Sequence, residues 1–332
     1  VVESNIRADQ VMCHIHNETW TLRFGLVWPF SLTNFAMSIV TIVHSHSGAS
    51  AQVHTFGATV VAFTTSNGRE VLFLSRDAKM DGSKAIRGGI PLVFPQFGAT
   101  PDTTMPQHGF ARCNSWNVQD SYDNEESAGM TFTLDWKDVT QGKGDGDWSN
   151  GTFDCTLKLH VQVQASSLTT TLTIQNKGSM SFDFQTLFHT YFLVQQHEAL
   201  KADQCHVIGL EGYQCEDKIS GDTYTCSSQP IIIDSNIDHI YTPPEGKLDV
   251  QITVKTGNET FATMEAYGFV NGQKVPTSCV VWNPHAKKAA EMPDFHENGH
   301  MDMICCEPGL LCNIPVLDAG KECVFTQVIT AQ

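Results

Sequence analysis

The chain contains 332 residues, of which 41% are hydrophobic and 17% charged, and its formal charge at pH 7 is −16. Such values supply a sizeable core and exclude a disordered chain. The negative balance excludes nucleic acid and anionic membrane surfaces, which recruit basic footprints. In chain order, the first feature is an uncharged run over residues 24–43, long enough to raise the question of a membrane span or signal anchor. Pro29, Asn34 and interspersed Ser and Thr interrupt it, so no membrane association is expected.

A short apolar stretch at 71–74 reads as a strand, and two glycine-bearing runs follow. They are Ala85-Ile86-Arg87-Gly88-Gly89-Ile90-Pro91 and Gln107-His108-Gly109-Phe110-Ala111-Arg112, with Phe94-Pro95-Gln96-Phe97-Gly98 between them. Arginine presents a planar fork of donors suited to phosphate or carboxylate oxygens, and glycine neighbours allow ligand and backbone to approach closely. Either run alone would pass as a surface turn. Together they bring two arginines, a histidine and a glutamine into one segment, and between Arg76 and Arg112 five Lys/Arg stand against three Asp. A basic pocket for a small anion is expected here against the acidic background.

Residues 130–136 form the next expected strand. Gly142-Lys143-Gly144-Asp145-Gly146-Asp147 lacks the Lys-[Ser/Thr] pair and the helix of a phosphate-binding loop, and is read as a hairpin tip. Over 153–163 apolar residues occupy every odd position, the period of a half-buried strand, and Ser166-Ser167 turns it into a β-branched run at 168–174. Residues 182–193 read as one strand. Its alternation puts Phe182, Phe184, Phe188 and Phe192 on an apolar face and His189 on the other, beside Leu187 and Tyr191. Further strands are expected at 231–233, 249–255, 278–282, 302–306 and 321–330, and no segment sustains a helical period. The fold class is all-β, a single large antiparallel sandwich.

Two side chains stand out as proton carriers. His189 belongs to the residue type best able to exchange a proton near neutral pH, and aromatic surroundings lower its pKa by desolvation. Glu307 follows the apolar run Met303-Ile304-Cys305-Cys306 and precedes Pro308-Gly309, which is expected to hold it extended and then turn the chain. A carboxyl so placed is partly desolvated and suited to act as a general base. The eleven cysteines show no CxxC pair and read as reduced thiols in a cytoplasmic protein. Cys305 and Cys306 would face opposite sides of a strand, while His14-x-His16 and His44-x-His46 lack a third ligand, so no metal is expected. Asn17, Asn150 and Asn258 begin N-x-[ST] sequons, relevant only to a secreted chain.

The two glycine-bearing runs, with Phe188-His189-Thr190-Tyr191-Phe192, Asp238-His239-Ile240-Tyr241, Val280-Val281-Trp282-Asn283-Pro284 and Cys305-Cys306-Glu307-Pro308-Gly309, resemble the glucose-6-phosphate 1-epimerase branch of the aldose 1-epimerase (galactose mutarotase-like) superfamily. The resemblance begins near Met37, which implies an N-terminal extension over 1–36 and a catalytic domain over 37–332. It implies a mutarotase-like supersandwich and cofactor-independent exchange of α and β anomers of a hexose 6-phosphate, by a monomer. By position it implies His189 as general acid, Glu307 as general base, Arg87 and Arg112 on the phosphate, Gln107 and His108 on hydroxyls or the ring oxygen, and Asp238 accepting from sugar hydroxyls. The family pattern has Arg after this Asp where this chain has His239, which puts an ion pair at Asp238 in question. Trp282 is expected to be a buried sandwich residue, with stacking on a sugar as the other role. An epimerase of neutral sugars and a non-catalytic sugar-binding sandwich are the competing expectations.

Overall fold

The computed structural model describes residues 10–15, 18–23, 38–99 and 104–332. Most of the strand residues fall into two large antiparallel sheets packed face to face. The nine-stranded sheet runs in the order Cys205–Ile208, Val250–Thr256, Glu259–Val270, Glu322–Ala331, Ser167–Asn176, Cys155–Val163, Ala128–Asp135 and Asn117–Asp123, with Gln273–Val275 pairing on Glu259–Val270. Its central strands Cys155–Val163 and Ser167–Asn176 obey the period of two. In Cys155–Val163 the odd positions are buried, and Leu159, Leu172 and Phe325 line up across three strands as a fully covered row. Burying each such side chain is worth roughly 1.5–3 kcal/mol.

The eight-stranded sheet runs Thr223–Thr225, Gln214–Asp217, Ile237–Thr242, Ser278–Asn283, Met303–Leu310, Thr186–Phe188 and Leu92–Val93, with Tyr191–Leu193 also pairing on Met303–Leu310. One face meets the nine-stranded sheet: Phe188 stacks on Phe325 with ring centroids 5.1 Å apart, and the buried Thr190 Oγ1 donates to Gln327 Oε1 at 2.7 Å. The other face carries His189 and Glu307. Cys306 joins the core between the sheets and Cys305 the site side, so the adjacent thiols do point to opposite faces.

Four details differ from expectation. Residues 182–193 are three short strands, not one. Thr190 N donates to Phe188 O at 2.9 Å while His189 N donates to Pro91 O, a tight kink where the chain leaves Leu92–Val93 and joins Met303–Cys305. The kink keeps the alternation, so the phenylalanines still enter the core and His189 still opposes them. Second, the strand does not turn after Glu307 but continues to Leu310. Cys279 sits opposite Pro308, and Gly309 pairs with both Ser278 and Leu187; flanking partners hold the segment extended, a conformation that proline's fixed φ accepts. Third, 71–74 and 231–233 make only isolated bridges.

Fourth, 142–147 does lie in a hairpin connection, between the paired strands Ala128–Asp135 and Cys155–Val163, but it is a long one, which includes the helical turn Gly146–Ser149 and folds back over the 107–114 loop. Asn114 Oδ1 accepts from Thr140 N and Gln141 N, and Trp148 packs edge-on to Phe94, Phe110 and Trp136. Two smaller sheets remain: one pairs Ile39–Val43, Ser50–His54 and Thr59–Thr64, with Gln10–Ile15 and Glu18–Arg23 at its edge, and the other pairs Phe182–Asp183 with Val316–Leu317. Most of the uncharged run 24–43, together with His16 and Asn17, lies outside the described residues.

Candidate active site

A cavity of about 910 Å³ opens on the eight-stranded sheet, and every site residue expected from the sequence lines it: Arg87, Gln107, His108, Arg112, His189, Asp238 and Glu307. Glycine makes its loops possible. Gly89 has φ +66°, and a Cβ there would sit 2.0 Å from Val60 O; Gly109 has φ +76°, with Phe94 O equally close. Only glycine fits so near another backbone in the left-handed region. The approach is fixed by hydrogen bonds from Gly89 N to Phe73 O, Ile90 N to Val60 O and Ser75 N to Arg87 O, which leave the Arg87 side chain directed at the cavity.

Arg87 is held from two sides: Nη1 donates to Tyr191 Oη at 3.0 Å, and Nη2 lies 3.4 Å from Asp294 Oδ2. Arg112, on the 3₁₀ turn Ala111–Cys113, donates from Nη2 to Gln107 O at 2.9 Å. The Nε of each arginine is buried without a partner, two donors aimed at nothing in the protein. Lys84, Lys218 and Lys288 also line the cavity, so five cations face Asp238, Glu291 and Glu307. The local balance is basic although the chain is acidic.

The two candidate proton carriers, His189 and Glu307, are in contact. His189 Nδ1 lies 3.2 Å from Glu307 Oε1 and 3.8 Å from Cys305 Sγ; both carriers are buried, and Glu307 Oε2 has no partner. The imidazole stacks on Tyr191 at 4.8 Å and 11°, and meets His108 and Trp282 edge-on. Burial, reinforced by His108, Arg112 and Arg87, holds the His189 pKa well below the ordinary imidazole value. Burial, reinforced by Asp238 and opposed by the two arginines, holds Glu307 well above the ordinary carboxylate value. Desolvation thus pushes both partners toward their neutral forms. His108 is fixed as a donor: its Nδ1 accepts from Gly98 N at 3.1 Å, and burial beside Arg112 keeps it uncharged, leaving Nε2–H to give.

Asp238 is half-buried at the cavity wall, and burial raises its pKa against the pull of Lys218. His239 faces the other side of the strand, 3.3 Å from Tyr241 Oη and 3.8 Å from Asp217 Oδ1, so no ion pair forms between it and Asp238. Trp282 is half-buried and lines the cavity, which corrects the expectation of a buried sandwich tryptophan. Sequence reading missed Tyr191, Asp294 and the three lysines. Only Tyr191 had a local signal, its place two residues from His189 on the same face.

Among the described residues, His189, Cys305 and Glu307 form a group whose ligand atoms lie within 4.8 Å of one another. A cation there would replace the contact between His189 Nδ1 and Glu307 Oε1. His44 engages Ser47 Oγ through Nδ1 and lies near the carbonyls of Asn124 and Glu125 through Nε2, a structural tie between loops. A second cavity, of about 440 Å³, is lined by Arg76, His197, His296 and Asp302 and contains neither proton carrier.

Known proteins agree with this architecture. An aldose 1-epimerase family profile matches residues 38–330. A protein of Cenchrus ciliaris provisionally named glucose-6-phosphate 1-epimerase is 29% identical over 276 residues, 82% of this chain and 78% of that protein. One of the same provisional name from Escherichia coli is 26% identical over 267 residues, 80% of this chain and 81% of that protein. In fold, the chain is similar to a provisionally named mutarotase of Salmonella typhimurium, with TM-score 0.70 and 20% identity over 89% of this chain and 91% of that one. The galactose mutarotase-like fold, with a profile match over nearly the whole described chain, places this protein in the aldose 1-epimerase family.

Proposed function

We propose that the protein interconverts the α and β anomers of hexose 6-phosphates, glucose 6-phosphate above all, by acid–base ring opening and reclosure. The observation that carries this is the contact between His189 and Glu307 inside a cavity that also presents Arg87 and Arg112. The two oxygens that exchange protons in anomerisation, the C1 hydroxyl and the ring oxygen, are both bonded to C1, so acid and base must be adjacent. The contact of His189 Nδ1 with Glu307 Oε1 at 3.2 Å makes them so, with Nε2 the nitrogen left for the sugar. Groups that flank a scissile glycosidic bond stand roughly 5–9 Å apart.

Glu307 takes the C1 hydroxyl proton while His189, through Nε2, gives one to the ring oxygen, and the C1–O5 bond breaks. The open-chain aldehyde then lies beside a protonated Glu307 and a neutral His189, the state that burial favours. Rotation about C1–C2 and attack by the C5 hydroxyl run the transfers backwards, giving the other anomer with the single proton restored to His189. His108 donates to a sugar oxygen, Asp238 accepts from hydroxyls, Gln107 lies at the mouth, and the arginines hold the 6-phosphate by charge-assisted hydrogen bonds. Residues 37–332 form the catalytic domain of a cytoplasmic monomer, a setting supported by the free thiols of the described residues.

The test is polarimetric. Crystalline α-glucose 6-phosphate is dissolved with and without protein and its relaxation followed, then free glucose and galactose are treated alike. Faster relaxation confined to the phosphorylated sugar is expected; equal acceleration of all three would favour an epimerase of neutral sugars, and no acceleration a binding protein.

A further inference from the structure

We propose that Tyr191 is a positioning residue that links the anion end of the cavity to the acid, so that an anion bound at Arg87 raises turnover as well as affinity. The inference rests on the proposed function. It comes from an unbroken row of contacts: Lys84 Nζ lies 3.0 Å from Asp294 Oδ2, the same oxygen lies 3.4 Å from Arg87 Nη2, Arg87 Nη1 donates to Tyr191 Oη at 3.0 Å, the Tyr191 ring lies at 4.8 Å and 11° on the His189 ring, and His189 Nδ1 lies 3.2 Å from Glu307 Oε1. Asp294 and Tyr191 are both buried, with exposures of 0% and 1%, so each has little room to take another partner.

In the free protein Arg87 Nε is buried and unpaired, which leaves the guanidinium under-satisfied. An anion that accepts from the open part of the guanidinium, whose side chain is 16% exposed, fixes its plane. The phenol tethered to Nη1 is fixed with it, and so is the face of the imidazole that the phenol covers. Binding energy from the non-reacting end of the sugar then appears in kcat. Arg112 provides the internal contrast, since its bond goes to Gln107 O, outside the row.

The experiment splits the substrate. Anomerisation of xylose, a pentose without C6, is measured at increasing phosphite dianion in wild type, Tyr191→Phe and Arg112→Gln, after subtracting the anion's own catalysis at each concentration. Wild type should be stimulated about tenfold or more at saturation. Arg112→Gln should need more phosphite to reach a similar ratio, and Tyr191→Phe should show a ratio near one. Using the ratio within each variant cancels any change in basal rate from packing, and the wild-type stimulation stands as a test should Tyr191→Phe fail to fold. With glucose 6-phosphate, Tyr191→Phe should lower kcat about tenfold with KM within about twofold. An unchanged stimulation ratio in Tyr191→Phe overturns the proposal, as does a wild type that phosphite inhibits competitively against glucose 6-phosphate yet does not stimulate with xylose. Equal kcat/KM for glucose and glucose 6-phosphate, without phosphite competition, removes the anion site itself and with it the proposed function.

Discussion

The two large sheets are built from similar residues and put to different uses. In the nine-stranded sheet, Cys155–Val163 and Ser167–Asn176 alternate covered and partly open positions along their whole length. In the eight-stranded sheet, Met303–Leu310 is buried at every position, and a neighbouring stretch is cut by the kink at His189 and Thr190 into Thr186–Phe188 and Tyr191–Leu193. A strand that faces water on one side can stay regular. One that supplies a core on one face and a desolvated site on the other bends to aim particular groups. Stability should therefore concentrate in the first sheet and chemistry in the second.

The largest effects should fall on the second sheet and spare the fold. Glu307→Gln and His189→Ala should each cut kcat/KM for glucose 6-phosphate by roughly 10²–10⁴-fold, and the double variant should be little worse than the poorer single, since the two act as a unit. Thermal unfolding of Glu307→Gln at neutral pH should occur at or above the wild-type temperature. The sign follows from burial: a carboxyl whose folded pKa is raised stabilises less once pH exceeds its unfolded value, and an amide escapes that loss. A lower Tm would mean that Glu307 holds the sheet together and not the reaction.

The first sheet should give the reverse. Leu172→Ala, in the row with Leu159 and Phe325, should cost about 2–5 kcal/mol in denaturant unfolding while leaving kcat per folded molecule unchanged. A change in kcat would show that the two sheets are not separable.

Smaller effects are expected from the loops that join them. Arg87→Gln and Arg112→Gln should each lose roughly 1.5–3 kcal/mol of phosphate-dependent binding, or one to two decades in kcat/KM, for the phosphorylated sugar alone. An equal loss with glucose would move the arginines to the sugar hydroxyls. The smallest effect should follow removal of residues 1–36: a chain beginning at Met37 should be soluble, with kcat/KM within about twofold of the full chain. Failure to fold would make the strands Gln10–Ile15 and Glu18–Arg23 an obligatory edge of the sheet they join.

The same contrast explains what could be read in advance. Alternation over 153–163 and 168–174 announced two neighbouring strands because their environments alternate too. The arginines, His108 and Gln107 were legible because glycine marks backbone that must pass close to backbone. His189 kept its predicted face only because the kink conserves the alternation, although the strand around it does not survive as one piece. The continuation past Pro308 was not legible: it is imposed by Ser278 and Leu187 on either side, far away in sequence. Nor was Asp294, which has no local pattern and gains its meaning from Lys84 and Arg87, more than two hundred positions earlier.

In the proposed reaction Glu307 takes one proton and His189 gives another, and both move only between oxygen and nitrogen atoms. Exchange spectroscopy on glucose 6-phosphate at anomeric equilibrium in D₂O tests it directly, because α and β C1–H signals report both interconversion and any loss of hydrogen from carbon. Protein-dependent exchange between the two signals is expected, abolished in Glu307→Gln, with C1–H and C2–H fully retained. Deuterium entering C1 or C2 at a rate comparable to anomer exchange, or exchange undiminished in Glu307→Gln, would contradict it.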